Sequence, residues 1–159
     1  MSHPVVLIPG AGGQAWVWHL VEADLRQRGH DAFAVDLPAA DEGKGLPAYA
    51  DAVVAAIGDR DPGSPVAVAA YSLGAFTAPL VWQRVRVRQV IFVNAMIPQP
   101  GETPGAWWDN VGWVTRERLG IDPEVVPGGH LAALSRPAEL ATALVRYLRA
   151  ADEVIAHLQ

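Results

Sequence analysis

Apolar residues along the chain follow two rhythms. Four short runs, Pro4 to Ile8, Ala32 to Asp36, Val66 to Ala70 and Gln89 to Val93, are rich in β-branched residues and bounded by turn formers. They predict parallel strands buried on both faces, because a strand wet on one side would alternate apolar with polar positions. Between the runs, apolar residues recur at helical spacing. Val17, Leu20, Val21 and Leu25 mark a helix from Gln14 to Arg28 that stops at Gly29, and Leu46 to Ile57 and Leu73 to Val85 fill the next two gaps. This alternation predicts an α/β fold over residues 1–159 as one domain, with a mostly parallel sheet, right-handed crossovers and helices on both faces.

The rhythm breaks between Pro98 and Trp113, where Pro, Gly and the crowded Trp107, Trp108 and Trp113 leave no legible strand. A short helix over Thr115 to Leu119 then leads into a brief strand at Glu124-Val125-Val126 and a glycine turn, Pro127-Gly128-Gly129-His130. The remainder, Pro137 to Leu158, reads as a helix with Leu140, Leu144, Val145, Leu148 and Ile155 inward.

Composition narrows the function classes. With 51% apolar residues and 18% charged, the chain has the makings of a packed core. Its formal charge of -5 would repel phosphate, so nucleic acid is not an expected partner, and Arg84, Arg86 and Arg88 read as a solvated face. The absence of cysteine excludes disulfides, thiolate metal ligands and a cysteine nucleophile. The start, Met1-Ser2-His3-Pro4, shows no export signal, and the longest apolar stretch, Val66 to Trp82, is interrupted by Ser72, Gly74 and Pro79. The expectation is a cytoplasmic protein that does not enter a membrane.

Chemistry concentrates at three places. Val66 to Ala75 is a strand that turns sharply into a helix around Ser72, with small residues on either side. This is the nucleophile-elbow pattern, in which a strained turn presents a serine and bulky neighbours would collide with the flanking elements. Ala70 stands where the first glycine of G-x-S-x-G is usual, and the bland reading of Ser72 is a helix cap. The first strand ends in Pro9-Gly10-Ala11-Gly12-Gly13, a loop able to aim backbone N–H groups at a developing oxyanion. The Leu73 amide, just past the serine at a helix N-terminus, and the Ala11 amide are the candidate donors. A phosphate-binding loop competes for the glycines, but no lysine with serine or threonine closes it and no G-x-G-x-x-G is present. The third place is His130, on the glycine turn before the last helix and downstream of the serine, as a general base in this arrangement would be. His3, His19, His30 and His157 occupy the frayed start, the first helix and its turn, and the end of the chain.

The chain resembles the α/β-hydrolase family, in particular the esterase branch that includes plant-type methylesterases and hydroxynitrile lyases. The resemblance rests on Val6-Leu7-Ile8-Pro9-Gly10-Ala11-Gly12 with Trp16 beyond it, Val35-Asp36-Leu37-Pro38, Tyr71-Ser72-Leu73-Gly74, Val93-Asn94-Ala95-Met96-Ile97-Pro98 and Gly128-Gly129-His130. It implies a serine hydrolase acting on carboxylic esters or related acyl compounds without a cofactor or metal. Family members carry a helical cap and a further strand with the acidic member of the triad before the histidine, and here that interval is tens of residues too short. The expected fold is therefore a shortened α/β-hydrolase core without a cap domain. Asn94, Glu102, Asp109, Asp122 and Glu124 are open candidates for the acid's place.

Two function classes follow: a small serine esterase using Ser72 and His130, or a catalytically impaired or engineered core that binds a ligand or protein through the tryptophan-rich surface. Hydroxynitrile lyase chemistry is a lesser third, because no extra polar pocket groups can be identified. Losing a cap and a strand uncovers apolar surface, which points to a homodimer through Trp107, Trp108 and Trp113.

Overall fold

The structure, a computed structural model, describes residues 3–60, 63–97, 99, 101, 103, 120 and 122–157. Four parallel strands form one sheet: β1 (Val5–Ile8), β2 (Ala32–Ala34), β3 (Val66–Tyr71) and β4 (Val87–Val93), in the order β2-β1-β3-β4. The registers run Val5 with Ala32, Val5 with Ala67 and Ala67 with Gln89, with an irregularity at Val66/Ala67. The helices are α1 (His19–Gln27), α2 (Leu46–Gly58), α3 (Gly74–Trp82), the single turn α4 (Ala132–Ser135) and α5 (Pro137–His157).

Both sheet faces are covered, and the strand pleat decides which residue serves which face. Val5, Leu7, Ala67 and Ala69 pack with Trp18, Val21 and Leu25 ahead of and along α1, and with Leu140, Leu144 and Leu148 of α5. The alternate residues Val6, Ile8, Val66, Val68 and Ala70 face Ala50, Val53 and Ile57 of α2 and Ala78 and Val81 of α3. Each fully buried Leu or Val side chain contributes about 1.5–3 kcal/mol. This placement follows from right-handed crossovers, since the connection from β1 to β2 runs one way along the sheet and those to β3 and β4 run the other.

Several predicted boundaries shift. The first helix begins as a 3₁₀ turn over Ala15–Trp18 before α1 takes over at His19. The second strand ends at Ala34, although the Val35 N–H still donates to the Leu7 carbonyl at 3.3 Å. The brief strand expected at Glu124-Val125-Val126 does not form: residues 122–126 have no regular secondary structure, and β4 pairs only with β3 among the described residues. A three-residue strand bordered by Pro123 and Pro127 has little ladder to gain, because proline supplies no N–H. The final helix starts at Pro137 as expected, and a separate turn, α4, fills the interval between it and the glycine loop. The predicted helix at Thr115–Leu119 and the tryptophan cluster lie outside the described residues.

Candidate active site

Strand order places the site. The chain leaves β1 in one direction for β2 and returns past β1 to β3, so the order reverses between β1 and β3, and in open α/β sheets the ligand crevice lies at the carboxyl ends of such a pair. The glycine loop follows β1 and Ser72 follows β3, so both reach the same crevice.

Ser72 has φ +50°, in the left-handed region that a residue with a Cβ enters at a cost of order 1–3 kcal/mol. Surrounding hydrogen bonds hold it there. Its N–H donates to the Val93 carbonyl at 3.0 Å, and its carbonyl accepts from the N–H groups of Ala75 at 3.2 Å and Met96 at 3.0 Å. Two glycines make the space. A Cβ on Gly10 would lie 2.9 Å from the Ser72 Cβ, and a Cβ on Gly74 would lie 2.5 Å from the Pro9 carbonyl oxygen. The close approach that the small residues foretold is thus on the Gly10 and Gly74 sides, while Ala70 is accommodated fully buried. Ser72 itself is buried, at 7% exposure.

The loop after β1 is shaped by a turn in which the Gly13 N–H donates to the Gly10 carbonyl at 3.1 Å, and it is fastened by the Leu37 N–H to the Gly13 carbonyl at 2.7 Å. Ala11 and Gly12 lie exposed at the tip. Among the described residues, neither the Ala11 nor the Leu73 N–H donates a backbone hydrogen bond. Leu73 immediately precedes α3 in helical conformation.

His130 is exposed on a loop whose Gly128 and Gly129 have φ +126° and +62°. Its ring lies 5.3 Å from that of Tyr71, the neighbour of Ser72, centroid to centroid. The structure therefore brings the predicted base to the elbow strand, although no hydrogen bond joins the imidazole to Ser72 Oγ. Catalytic hydrogen bonds commonly tighten only when substrate arrives, so this geometry leaves the pair available.

Of the candidates for the acid's place, those among the described residues make no hydrogen bond to the His130 ring. Asn94, at φ +45°, bonds to the main chain and not to the ring: its Nδ2 donates to the carbonyls of Gly129 and His130, both at 3.1 Å. Glu124 faces α5, accepting from the Tyr147 hydroxyl at 2.7 Å and pairing with Arg146, and those partners hold its carboxyl below the ordinary range, the Tyr147 bond foremost. Asp122 lines a groove of about 340 Å³ beside β4 that contains neither Ser72 nor His130. Glu102 and Asp109 lie outside the described residues. Among the described residues, no carboxylate is bonded to the His130 ring. Nor do three His, Cys, Asp or Glu side chains among them gather as a metal site would require, and no described helix is long and apolar enough to cross a membrane.

Sequence reasoning missed Tyr71, whose hydroxyl donates to the His130 carbonyl, and Ser135, whose hydroxyl donates to the Gly128 carbonyl at 3.0 Å. The available signal for Tyr71 was its position inside the elbow motif. Nothing local pointed to Ser135.

The profile of the alpha/beta hydrolase family matches residues 5–120, most of the chain, a span that includes the glycine loop and Ser72 and stops short of His130. The chain belongs to the alpha/beta hydrolase family. The Oryza sativa protein named "Probable esterase PIR7A" is 32% identical over 109 residues, covering 63% of this chain and 41% of that protein. Methyl jasmonate esterase 1 of Vitis vinifera is 31% identical over 104 residues, 60% of this chain and 40% of that one. The chain thus spans about two-fifths of the length of these curated relatives. Among solved structures, polyneuridine aldehyde esterase superposes with a TM-score of 0.58 at 22% identity over 69% of this chain and 47% of that one, a likeness of fold. As an alpha/beta hydrolase the described structure is shortened, a parallel four-stranded sheet with helices on both faces and no cap among the described residues.

Proposed function

We propose that the chain is the core of a serine esterase in which Ser72 is the nucleophile and His130 the general base. The observation that carries this reading is Ser72 held at φ +50° at the crevice between β1 and β3, because strain of that kind persists only where the surroundings impose it, and nucleophile elbows are such places. The esterase names of the two relatives supply the substrate class, a small carboxylic ester.

The chemistry follows from these groups. Ser72 Oγ attacks the acyl carbon while His130 takes the hydroxyl proton, and the carbonyl oxygen becomes an oxyanion received by the Leu73 and Ala11 N–H groups. The proton then passes from His130 to the departing alcohol oxygen as the ester C–O bond breaks. Water, deprotonated by His130, then attacks the acyl carbon, and His130 returns that proton to Ser72 Oγ as the bond from Oγ to the acyl carbon breaks and the acid is released. Among the described residues no carboxylate fixes the tautomer or stabilises the imidazolium, and where that carboxylate is lost from a triad the rate falls by about 10⁴-fold. The expected enzyme is slow.

A fluorophosphonate probe tests the reading. It should add to Ser72, with labelling abolished in Ser72→Ala, strongly reduced in His130→Ala and little changed in His19→Ala, whose ring instead stacks on Trp16 at the surface. Intact mass showing no adduct on the folded protein would favour the rival reading of a ligand-binding core.

A further inference from the structure

Three successive carbonyls on the His130 loop accept hydrogen bonds from side chains outside it. Ser135 Oγ reaches Gly128, Asn94 Nδ2 reaches Gly129 and His130, and the Tyr71 hydroxyl also reaches His130. Loops are ordinarily satisfied by their own turns or by water, so this convergence on one short segment is a built feature. Both lone pairs of the His130 carbonyl are thereby used, one by the residue preceding Ser72 and one by the residue following β4.

We infer that Tyr71 and Asn94 are positioning residues for the His130 base, acting on its main-chain carbonyl rather than on the ring. The inference rests on the esterase reading of Ser72 and His130. Its physical content is that the two donors set the His130 Cα relative to the elbow, from which the imidazole projects, while the ring keeps its torsional freedom. Tyr71 suits this role because its own place is rigid. It is 4% exposed, and its ring packs edge-on against the fully buried Trp18 at 5.8 Å. Burial also pushes its hydroxyl above the ordinary tyrosine range, so it remains a protonated donor as pH rises past neutrality. Asn94 suits it because asparagine tolerates the left-handed φ that turns its amide toward the loop.

Tyr71→Phe keeps the ring and removes only the donor, and Asn94→Gly tolerates the backbone angle while removing the other. Each is made in the wild-type chain and in His130→Ala, and p-nitrophenyl acetate hydrolysis and fluorophosphonate labelling are followed. Tyr71→Phe should lower kcat and the labelling rate roughly five- to tenfold, the equivalent of one net hydrogen bond, with KM unchanged. The same substitution in the His130→Ala background should cost nothing further, because residues that act through one another are non-additive. Asn94→Gly should behave alike. An equal loss in both backgrounds, or no loss in either, would overturn the positioning role while leaving Ser72 labelling intact. A Ser72 that never labels would overturn the esterase reading and the positioning role together.

Discussion

A methyl group on Gly74 would sit 2.5 Å from the Pro9 carbonyl oxygen and 3.1 Å from that of Ile8, both backbone atoms of the neighbouring strand end. Neither atom can rotate away, so the start of α3 would have to withdraw from β1 and take the Ser72 turn with it. Gly74→Ala should therefore destabilise the protein by about 1–3 kcal/mol, as overpacking does, and suppress Ser72 labelling in the protein that still folds. Gly58, the last residue of α2, faces open space, and Gly58→Ala should stabilise by about 0.5–1 kcal/mol through helix propensity alone. Urea unfolding of the two variants would decide the matter. If Gly74→Ala unfolds at the same midpoint as the parent, the close approach of α3 to β1 is not a constraint on the elbow.

At the scale of elements, α5 is tied to the free side of β4 by polar as well as apolar contacts. Gln89 Nε2 donates to the Tyr147 carbonyl at 3.0 Å, and the Arg88 guanidinium, 7% exposed, pairs with Asp152. Glu124 anchors the segment before the histidine loop onto the same helix through Tyr147 and Arg146. Because the Tyr147 hydroxyl and then Arg146 favour the ionised form, the folded pKa of Glu124 lies below its ordinary value of 4.5. The linkage sign follows: the unfolded chain takes up the proton first as pH falls, so the stabilisation is present above the unfolded value and is lost through the folded one. Glu124→Gln should thus unfold more readily than the parent at pH 7, with the difference vanishing as the pH is lowered through the carboxylate range. Denaturant midpoints across pH 7 to 3 test this, and a gap that stays constant would mean that the carboxylate charge contributes nothing. A surface pair of this kind is a small effect, so the pH trend carries more information than the size.

For the whole molecule, β4 is the last strand on its side of the sheet among the described residues. Its outer side borders a groove of about 340 Å³ walled by β4, by α5 and by the irregular segment from Asp122 to Val126. Among the described residues no strand pairs with that edge of β4, and such an edge is a place where another chain can add. The sequence adds Trp107, Trp108 and Trp113, which lie outside the described residues, as the apolar side chains closest in the chain to this junction. Self-association is the expected outcome, with a dimer by light scattering at micromolar concentration that dissociates on Trp108→Glu. A single-chain mass up to millimolar concentration would rule it out.

How much of this was legible beforehand depends on the range of the forces involved. The four strands, the elbow at Ser72 and the glycine loop were all readable, since pleat, helical spacing and the sterics of a tight turn act over a few neighbouring residues. Only the structure shows which face each residue serves, Val5 and Leu7 on one and Val6 and Ile8 on the other. Partners distant in the chain were not readable. The sequence placed Asn94 near the acid's position, but only the folded chain shows its amide on the Gly129 and His130 carbonyls, 35 and 36 residues away, rather than on a ring. Glu124-Val125-Val126 had the composition of a strand, yet a strand exists only if a neighbour offers a matching row of donors and acceptors, and among the described residues β4 does not pair with it. The amino-acid order thus determined the elements and the residues at their ends. Tertiary structure decided which ends meet, because hydrogen-bond partners and sheet order depend on how segments tens of residues apart are packed together.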